Sequence, residues 1–371
     1  MTFHTNNEVI CRLPESQKCW GHFTSPVETV STANSRELPQ ILGWLQRSLD
    51  NGFYVAGFIS YEASTVFDSA YSVKSCPDFP LIWFSAFSSP PTTVDFTNPS
   101  EISFPALKMN TSFAQYEKSI KKIKKYIYDG DIYQTNFSFR AHTLTEIPGK
   151  NLFINLMNNH PVPYGAFVDT GKFQIISVSP ELFLESKDST LYSLPMKGTA
   201  PRNNNPEIDK KIPDKLSSDS KNRAENLMIL DMVRNDLGKI CIPGTISVDP
   251  LFRVDKYNTV YQMVSGVTGK CPANTPIYDI LAATFPAASI TGAPKIRAME
   301  IINELESSAR KTYTGSIGCF YPNGDFCLNV AIRTLLMTEN SCEIGIGSAI
   351  VADSDSQKEW EECLLKKDFF K

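Results

Sequence analysis

The sequence lacks the features that mark several large classes of protein. None of its nine cysteines forms a Cys-x-x-Cys pair, and it has only four histidines. This scarcity argues against zinc fingers, disulfide scaffolds and polyhistidine metal sites. No apolar run approaches the roughly 18 residues of a membrane-spanning helix. Residues 1–19 show no basic region followed by an apolar one, so we predict no secretory signal and a cytoplasmic protein.

The charge balance excludes a further set of functions. Lysine plus arginine number 36 and aspartate plus glutamate 40, which leaves a formal net charge of −4 over 371 residues. A mildly acidic chain is a poor general ligand for nucleic acid or for anionic membranes. Hydrophobic residues make up 42%, which is ample for a core and argues against disorder.

Prolines are concentrated between Ser85 and Pro105, where they disfavour both helices and strands. We therefore predict an N-terminal portion over residues 1–105, packed on or part of the same fold, and a main portion over residues 106–371. A surface loop within one domain explains the prolines equally well.

Periodicity in the main portion predicts both helices and strands. Ser112 and Gln115 have the spacing of a capping box, and an apolar stripe at helical spacing follows them. Residues 164–199 and 311–351 each read as a meander of antiparallel strands, and Asn323-Gly324 in the second is a strong hairpin signal. The predicted fold is mixed α/β (α+β), with large antiparallel sheets surrounded by helices.

Three glutamates suggest a metal site, although each has a simpler interpretation. Glu225 lies in AENLMILDMV, a segment so apolar that we expect a helix buried nearly all round. A buried carboxylate needs a proton, a cation or a metal. Glu359 and Glu362 share one face of a short predicted helix, and carboxylates from two helices suit Mg²⁺. Taken alone, a solvated terminal helix explains the last two better.

Glu181 and Lys197 form a second candidate pair. Each lies at the end of a strand-like run, beside Pro180 or Gly198. A desolvated lysine has a lowered pKa and becomes a nucleophile, whereas a carboxyl group in an apolar pocket has a raised pKa and becomes a general acid. A surface lysine and a strand-edge glutamate would explain the same residues.

Eight stretches, in order along the chain, carry a more specific signal. They are GDIYQTNFSFR (130–140), SPELF (179–183), PMKGTAPR (195–202), RAENLMILDMVRNDLGK (223–239), FPAASITGAPKIRAMEII (285–302), YTGSIGCF (313–320), NVAIRT (329–334) and DSDSQKEWEECLLK (353–366). In these stretches the sequence closely resembles the chorismate-utilising enzymes. The resemblance implies one large chorismate-binding domain, with two packed, mostly antiparallel sheets ringed by helices.

Two positions distinguish branches of that family. Its water-using members carry a lysine where this chain has Gln134, and glutamine cannot activate water, so the resemblance favours ammonia as the nucleophile. Anthranilate synthases carry an alanine where this chain has Lys197, whereas aminodeoxychorismate synthases carry a lysine. Asn136 also resembles the latter group.

The resemblance therefore implies Mg²⁺-dependent amination of chorismate to 4-amino-4-deoxychorismate, in folate and p-aminobenzoate biosynthesis. Lys197 would be the nucleophile and Glu181 the general acid. Ammonia would come from a glutamine amidotransferase subunit. The implied metal ligands are Glu225, Glu359 and Glu362, and the implied substrate-binding residues are Gln134, Gly198, Thr199, Tyr313, Arg333, Gly347 and Lys366.

The sequence departs from the family pattern at three alanines. Ala287-Ala288 stands where Gly-Gly or Ala-Gly is usual. Ala349 stands where glycine is usual, so an added methyl group is expected near the substrate carboxylate. Two alternatives remain open, namely an anthranilate synthase and a non-catalytic chorismate-binding relative.

Overall fold

Two large β-sheets form the framework of the protein. The computed structural model describes residues 7–14, 19–96, 102–258 and 260–370. The strands in these residues are β1 Glu8–Arg12, β2 Trp20–Phe23, β3 Glu28–Thr32, β4 Tyr54–Ile59, β5 Ile82–Phe87, β6 Thr92–Val94, β7 Lys108–Met109, β8 Gln134–Leu144, β9 Ala166–Asp169, β10 Gln174–Ser177, β11 Leu182–Lys187, β12 Thr190–Leu194, β13 Met196–Pro201, β14 Ser247–Val248, β15 Arg253–Lys256, β16 Val260–Val264, β17 Val267–Lys270, β18 Gly292–Ala293, β19 Ser316–Phe320, β20 Phe326–Asn329, β21 Thr334–Met337 and β22 Ser341–Ile350.

Helices surround the sheets. The α-helices are α1 Leu38–Asp50, α2 Ser64–Phe67, α3 Phe113–Tyr128, α4 Gly149–Asn159, α5 Pro206–Asp209, α6 Ile212–Ser218, α7 Ser220–Gly238, α8 Ile277–Thr284, α9 Lys295–Leu305 and α10 Ser356–Asp368. Short 3-10 turns occur at Ser35–Glu37, Tyr61–Ala63 and Ala288–Ile290. Within the described ranges, no helix combines the length and the apolarity needed to cross a membrane.

The strands join into two large sheets and one small one. The first sheet has the order β18-β8-β22-β21-β10-β9-β1-β2-β6, with β7 paired to β8. The second has the order β14-β17-β12-β11-β20-β19-β4-β5-β3, and the third consists of β13, β16 and β15. The predicted mixed α/β fold with antiparallel sheets is confirmed.

Local sequence signals explain how α3 packs on the first sheet. The Ser112 side chain accepts from the backbone of Gln115, whose own side chain reaches back to the Ser112 backbone, so the predicted capping box is confirmed. Tyr116, Ile120 and Ile123 are buried in the core beneath this helix. The lysines lie mostly on the solvent side, as expected of a solvated helix face.

The two predicted meanders are wrong in one respect, since each is divided between the two large sheets. The hairpin β9–β10 belongs to the first sheet and β11–β12 to the second. The hairpin β19–β20 belongs to the second sheet and β21–β22 to the first. Alternation of polar and apolar residues identifies strands but does not reveal which sheet each one joins.

The two segments that pass between the sheets lie side by side. We call residues 178–181 and 330–333 the paired crossover. The backbone amide of Val178 donates to the carbonyl of Arg333 at 3.1 Å, and that of Val330 donates to the carbonyl of Glu181 at 3.0 Å. In these two segments, which lie outside both sheets, backbone amides and carbonyls therefore form hydrogen bonds with each other.

The first residues of the chain contribute strands to both large sheets. Cys11 of β1 pairs with Ala166 of β9, and Ala56 of β4 pairs with Cys319 of β19. The division at residue 105 remains a prediction. The loop expected over residues 85–105 is interrupted by the end of β5 and by β6, while residues 97–101 lie outside the described residues.

The expectation that the helix around Glu225 is buried on all sides is wrong. In α7, Ile229, Leu230 and Leu237 are buried, but Leu227 is 44% exposed. The helix packs only one face against the core of the second sheet. It has more apolar residues than this face can hold, so some of them are exposed to solvent.

Replacing Ser179 by alanine should destabilise the protein. The Ser179 hydroxyl donates to the Val330 carbonyl at 2.6 Å and accepts from the Glu181 amide at 3.2 Å, and all three residues are buried. We expect the free energy of unfolding in urea to fall by about 1–3 kcal/mol.

Ser218→Ala provides a matched control, because that exposed hydroxyl bonds only to carbonyls of its own helix. Its effect should stay within about 0.5 kcal/mol. Equal effects of the two substitutions would contradict a special role for the paired crossover.

Candidate active site

Glu181 lies in the paired crossover and is only 4% exposed. Burial raises the pKa of its carboxyl group to about 7, while the hydroxyl of Ser289, the charge of Lys197 and the backbone of Met196 act in the opposite direction. A cavity of about 20 Å³, bounded by Glu181 and Ser289 among others, has room for about one water molecule. A carboxyl group in this state can donate a proton near neutral pH.

Lys197 approaches Glu181 from β13, a strand of the third sheet that comes directly after β12. Burial lowers the pKa of the Lys197 amine, and the nearby ammonium of Lys366 adds to this effect. The carboxylates of Glu225, Glu181 and Glu362 oppose it. The structure therefore places Lys197 among four of the predicted site residues, and a lowered pKa makes more of the nucleophilic free amine available.

The helix α10 brings Glu362 and Lys366 to the same place. The side chain of Asp355 caps this helix by accepting from the backbone amides of Gln357 and Lys358. One turn apart, Glu362 and Lys366 form an ion pair at 2.7 Å, and this ammonium lowers the pKa of Glu362.

Lys366 also joins α10 to the first sheet. Its ammonium donates to the carbonyl of Gly347 at 2.8 Å. Two predicted substrate-binding residues, Gly347 and Lys366, are thus in direct contact.

The other predicted metal ligands are close to this region but do not form a compact cluster. The Ser354 hydroxyl donates to Glu359 at 2.8 Å, and burial raises the pKa of Glu359. Glu225 is half-buried on α7. Among the described residues, no group of three or more histidine, cysteine, aspartate or glutamate side chains is placed to hold a metal ion. The assignment of the three glutamates to Mg²⁺ remains a prediction.

Tyr313 packs on the β22 strand at a point where only glycine fits. A Cβ atom on Gly345 would lie 2.2 Å from the Tyr313 ring. The guanidinium of Arg140 lies 5.2 Å from the centre of the same ring, and the charge of Lys366 also reaches it. Tyr313 therefore borders the region that contains Lys366.

Arg333 ends the paired crossover in a strained conformation, with a φ of 48°. Its guanidinium lies 4.7 Å from the centre of the Phe369 ring, and burial lowers its pKa. Within the part of the chain that the structure describes, this guanidinium makes no ion pair. A largely buried cation without a carboxylate partner is suited to bind an anion.

Gln134, Gly198 and Thr199 complete the predicted set. Gln134 is fully buried, and both atoms of its amide lack a hydrogen-bond partner among the described residues. Gly198 has a φ of 97°, which favours glycine and turns the chain just after Lys197. Thr199 is exposed, and its hydroxyl donates to Gln262 at 2.9 Å, so its role in substrate binding remains a prediction.

Two residues near the site were not singled out from the sequence. Ser289 lines the same cavity as Glu181 and lies in the FPAASITGAPK stretch, so the motif already contained the signal. Tyr257 lies within electrostatic range of both Arg333 and Glu181, and its burial raises its pKa to about 12. No motif marks Tyr257, because only the fold brings it to these residues.

Comparison with known proteins identifies the family of this chain. The sequence profile of the family described as chorismate binding enzyme matches residues 92–371. This match covers well over half of the chain, and the chain therefore belongs to the chorismate binding enzyme family.

Curated relatives include two kinds of synthase. The chain is 37% identical over 261 residues to aminodeoxychorismate synthase component 1 of Salmonella typhimurium, which covers 70% of this chain and 58% of the relative. It is 36% identical over 266 residues to anthranilate synthase component 1 of Aquifex aeolicus, covering 72% of this chain and 54% of that protein. The chain thus spans less than two thirds of the length of these relatives.

A solved structure shares the fold. Anthranilate synthase component I from Streptococcus pneumoniae superposes with a TM-score of 0.82 at 24% identity, over 98% of this chain and 92% of that chain. At this level of identity the likeness concerns the fold.

Replacing Glu181 by glutamine should stabilise the protein more at pH 8 than at pH 5. A folded-state pKa of about 7 lies above the ordinary value of 4.5, so stability falls as the pH rises through this interval. Glutamine removes this loss, which is on the order of 2 kcal/mol. Urea unfolding at both pH values measures the difference.

The exposed Glu339 supplies the control for this experiment. Glu339→Gln should change stability by less than about 0.5 kcal/mol at either pH. A pH-independent effect of Glu181→Gln would show that its carboxyl group has an ordinary pKa.

Proposed function

We propose that this chain aminates chorismate with ammonia to give 4-amino-4-deoxychorismate, a step of folate and p-aminobenzoate biosynthesis. The observation that carries the proposal is the pair formed by buried Glu181 and half-buried Lys197, whose pKa values are shifted in opposite directions. Such a pair has an acid and a nucleophile available at the same pH. The aminodeoxychorismate synthase relative supports the choice of reaction.

In this reaction the amine of Lys197 adds to ring C2 of chorismate. The ring double bonds shift, and the C4 hydroxyl leaves as water after taking a proton from Glu181. Ammonia then adds at C4, the double bonds shift back, and the C2–N bond to Lys197 breaks. The proton of the added ammonium returns to the Glu181 carboxylate, which restores both side chains.

Gln134 supports ammonia rather than water as the second nucleophile. Its amide cannot act as the base that water requires. The buried amide atoms without partners can instead bind a small polar molecule beside the ring. Ammonia needs no such base, because the neutral molecule is already nucleophilic.

The cations at the site fit a substrate with two carboxylates. Arg333 has no carboxylate partner within the described residues, and Lys366 is held at Gly347. We infer that Arg333 and Tyr313 bind one carboxylate of chorismate. The backbone near Gly347 binds the other, beside the methyl group of Ala349.

The donor set also fits one Mg²⁺ ion. The carboxylates of Glu225 and Glu362 lie on two different helices and both act electrostatically on Lys197, and Mg²⁺ typically takes one or two carboxylates together with water and substrate. We infer that these two residues hold the ion, with Glu359 as a third predicted ligand. The ion would supply positive charge for the ring carboxylate.

We infer that ammonia comes from a glutamine amidotransferase subunit. The Salmonella typhimurium relative is named component 1, which implies a second component. A cytoplasmic location fits the nine free cysteines, seven of which are buried.

The alternative reaction is that of an anthranilate synthase, favoured by the Aquifex aeolicus relative. In that case the pyruvyl group would be eliminated from the ring and the product would be fluorescent anthranilate. Lys197 argues against it, since an amine that adds to the ring is unnecessary when ammonia itself adds at C2.

The Lys197→Ala variant tests the proposed reaction. With chorismate, Mg²⁺ and ammonium, the wild-type protein should form a product of aminodeoxychorismate mass, and the variant should be slower by roughly 10²-fold or more because its nucleophile is lost. Mass-resolved product analysis measures both. Lys187→Ala, at an exposed hairpin, should retain wild-type activity. Anthranilate as the main product, or full activity of Lys197→Ala, would contradict the proposal.

A further inference from the structure

A buried cluster of two arginines and two glutamates lies behind the candidate site. We call Glu62, Arg140, Glu306 and Arg310 the arginine–glutamate cluster. Each of these residues is at most 4% exposed. Glu62 belongs to the 3-10 turn Tyr61–Ala63, in the first third of the chain, whereas the other three lie in the main portion.

Glu62 binds backbone rather than a charged side chain. One carboxylate oxygen accepts the amide of Arg310 at 2.6 Å, and the other accepts the amide of Lys311 at 2.9 Å. In addition, the amide of Tyr61 donates to the carbonyl of Lys311 at 2.9 Å. Three hydrogen bonds thus attach this turn to two consecutive residues.

The segment held by Glu62 has an unusual backbone conformation. Lys311 and Thr314 have φ values of 56° and 62°, in the left-handed region that residues other than glycine rarely adopt. Such residues persist only when their surroundings hold them in place. Tyr313 lies between them, so the conformation of this segment determines where the Tyr313 ring lies against Gly345.

The side chain of Arg310 hydrogen-bonds to two further segments near the candidate site. It forms a bidentate pair with Glu306, at 2.6 and 3.1 Å. It also donates to the carbonyls of Ile290 at 2.9 Å and Asn136 at 3.0 Å. Ile290 follows Ser289, which lines the same cavity as Glu181.

A carboxylate suits this position better than an amide. Two convergent backbone N–H groups require two acceptor oxygens, and glutamine would present an NH₂ group to one of them. Burial raises the pKa of Glu62 to about 7, while the amide of Arg310 and then further hydrogen bonds and charges lower it.

We propose that Glu62 is a positioning residue for the candidate active site, because its carboxylate fixes the backbone of residues 310–314 and thereby the place of Tyr313. Its effect on catalysis depends on the proposed function, in which Tyr313 contacts chorismate. Its effect on the backbone does not depend on any substrate.

Two readouts on the Glu62→Gln variant test this inference. Hydrogen exchange followed by mass spectrometry should show exchange in residues 306–315 at least about tenfold faster than in the wild-type protein, without a general increase elsewhere. In kinetics, KM for chorismate should rise by about fivefold or more, with kcat changed by less than about twofold. In a Tyr313→Phe background, Glu62→Gln should add little to KM.

Glu8→Gln is the matched control. Glu8 is also buried and lies in the first part of the chain, but it binds His22 and Lys150, far along the first sheet from Tyr313. This variant should leave exchange in residues 306–315 and KM unchanged. If Glu62→Gln does not fold, Glu62→Asp is measured instead, since its shorter carboxylate cannot reach both amides and should give the same local exchange.

Three outcomes would overturn the inference. Wild-type exchange in residues 306–315 of a folded Glu62 variant would do so whether or not chorismate is turned over. Faster exchange throughout the chain would show a merely structural role, as would a loss of kcat with unchanged KM. Absence of turnover in the wild-type protein would instead contradict the proposed function. The hydrogen-exchange comparison would then still test whether Glu62 fixes the backbone of residues 310–314.

Discussion

Two strand connections must pass between the large sheets at the same place, and the candidate site depends on how they do so. Outside the sheets, the backbones of residues 178–181 and 330–333 hydrogen-bond to each other and also to Tyr164, Thr314 and Gly315. Their mutual hydrogen bonds, with the Ser179 hydroxyl between them, resolve this constraint. Because Glu181 and Arg333 belong to these two segments, the connection that completes the fold also brings a buried acid close to a half-buried cation.

The charged groups around this crossover are costly to bury. Glu181 and Lys197 both have pKa values shifted by burial toward their neutral forms, which reduces stability at the pH where the site works. The arginine–glutamate cluster contains the other solution, since the charges of Glu306 and Arg310 stay paired and hydrogen-bonded. Its bonds join segments that are distant in sequence. Glu181 and Lys197 can therefore change protonation state near neutral pH, whereas the Glu306–Arg310 pair behind them fixes the conformation of the chain.

Local signals predicted local structure. The capping box at Ser112 and the hairpin at Asn323-Gly324 depend on neighbouring residues, so the sequence alone sufficed for both. The division of each meander between two sheets depends on contacts across more than a hundred residues and was missed. Motif resemblance indicated Glu181, Lys197, Glu362 and Lys366, which the structure brings together. Tyr257 and Glu62 could not be found in this way, because their roles arise from tertiary contacts.

The central claim is that Lys197 bonds covalently to the substrate ring during the reaction. It is tested most directly by acid quenching of the protein with chorismate and Mg²⁺ in the absence of ammonia, followed by intact-protein and peptide mass spectrometry. We predict a fraction of chains that has gained the mass of chorismate less one water, on the peptide that contains Lys197. No added mass, in a preparation that forms aminodeoxychorismate once ammonium is supplied, would contradict the account.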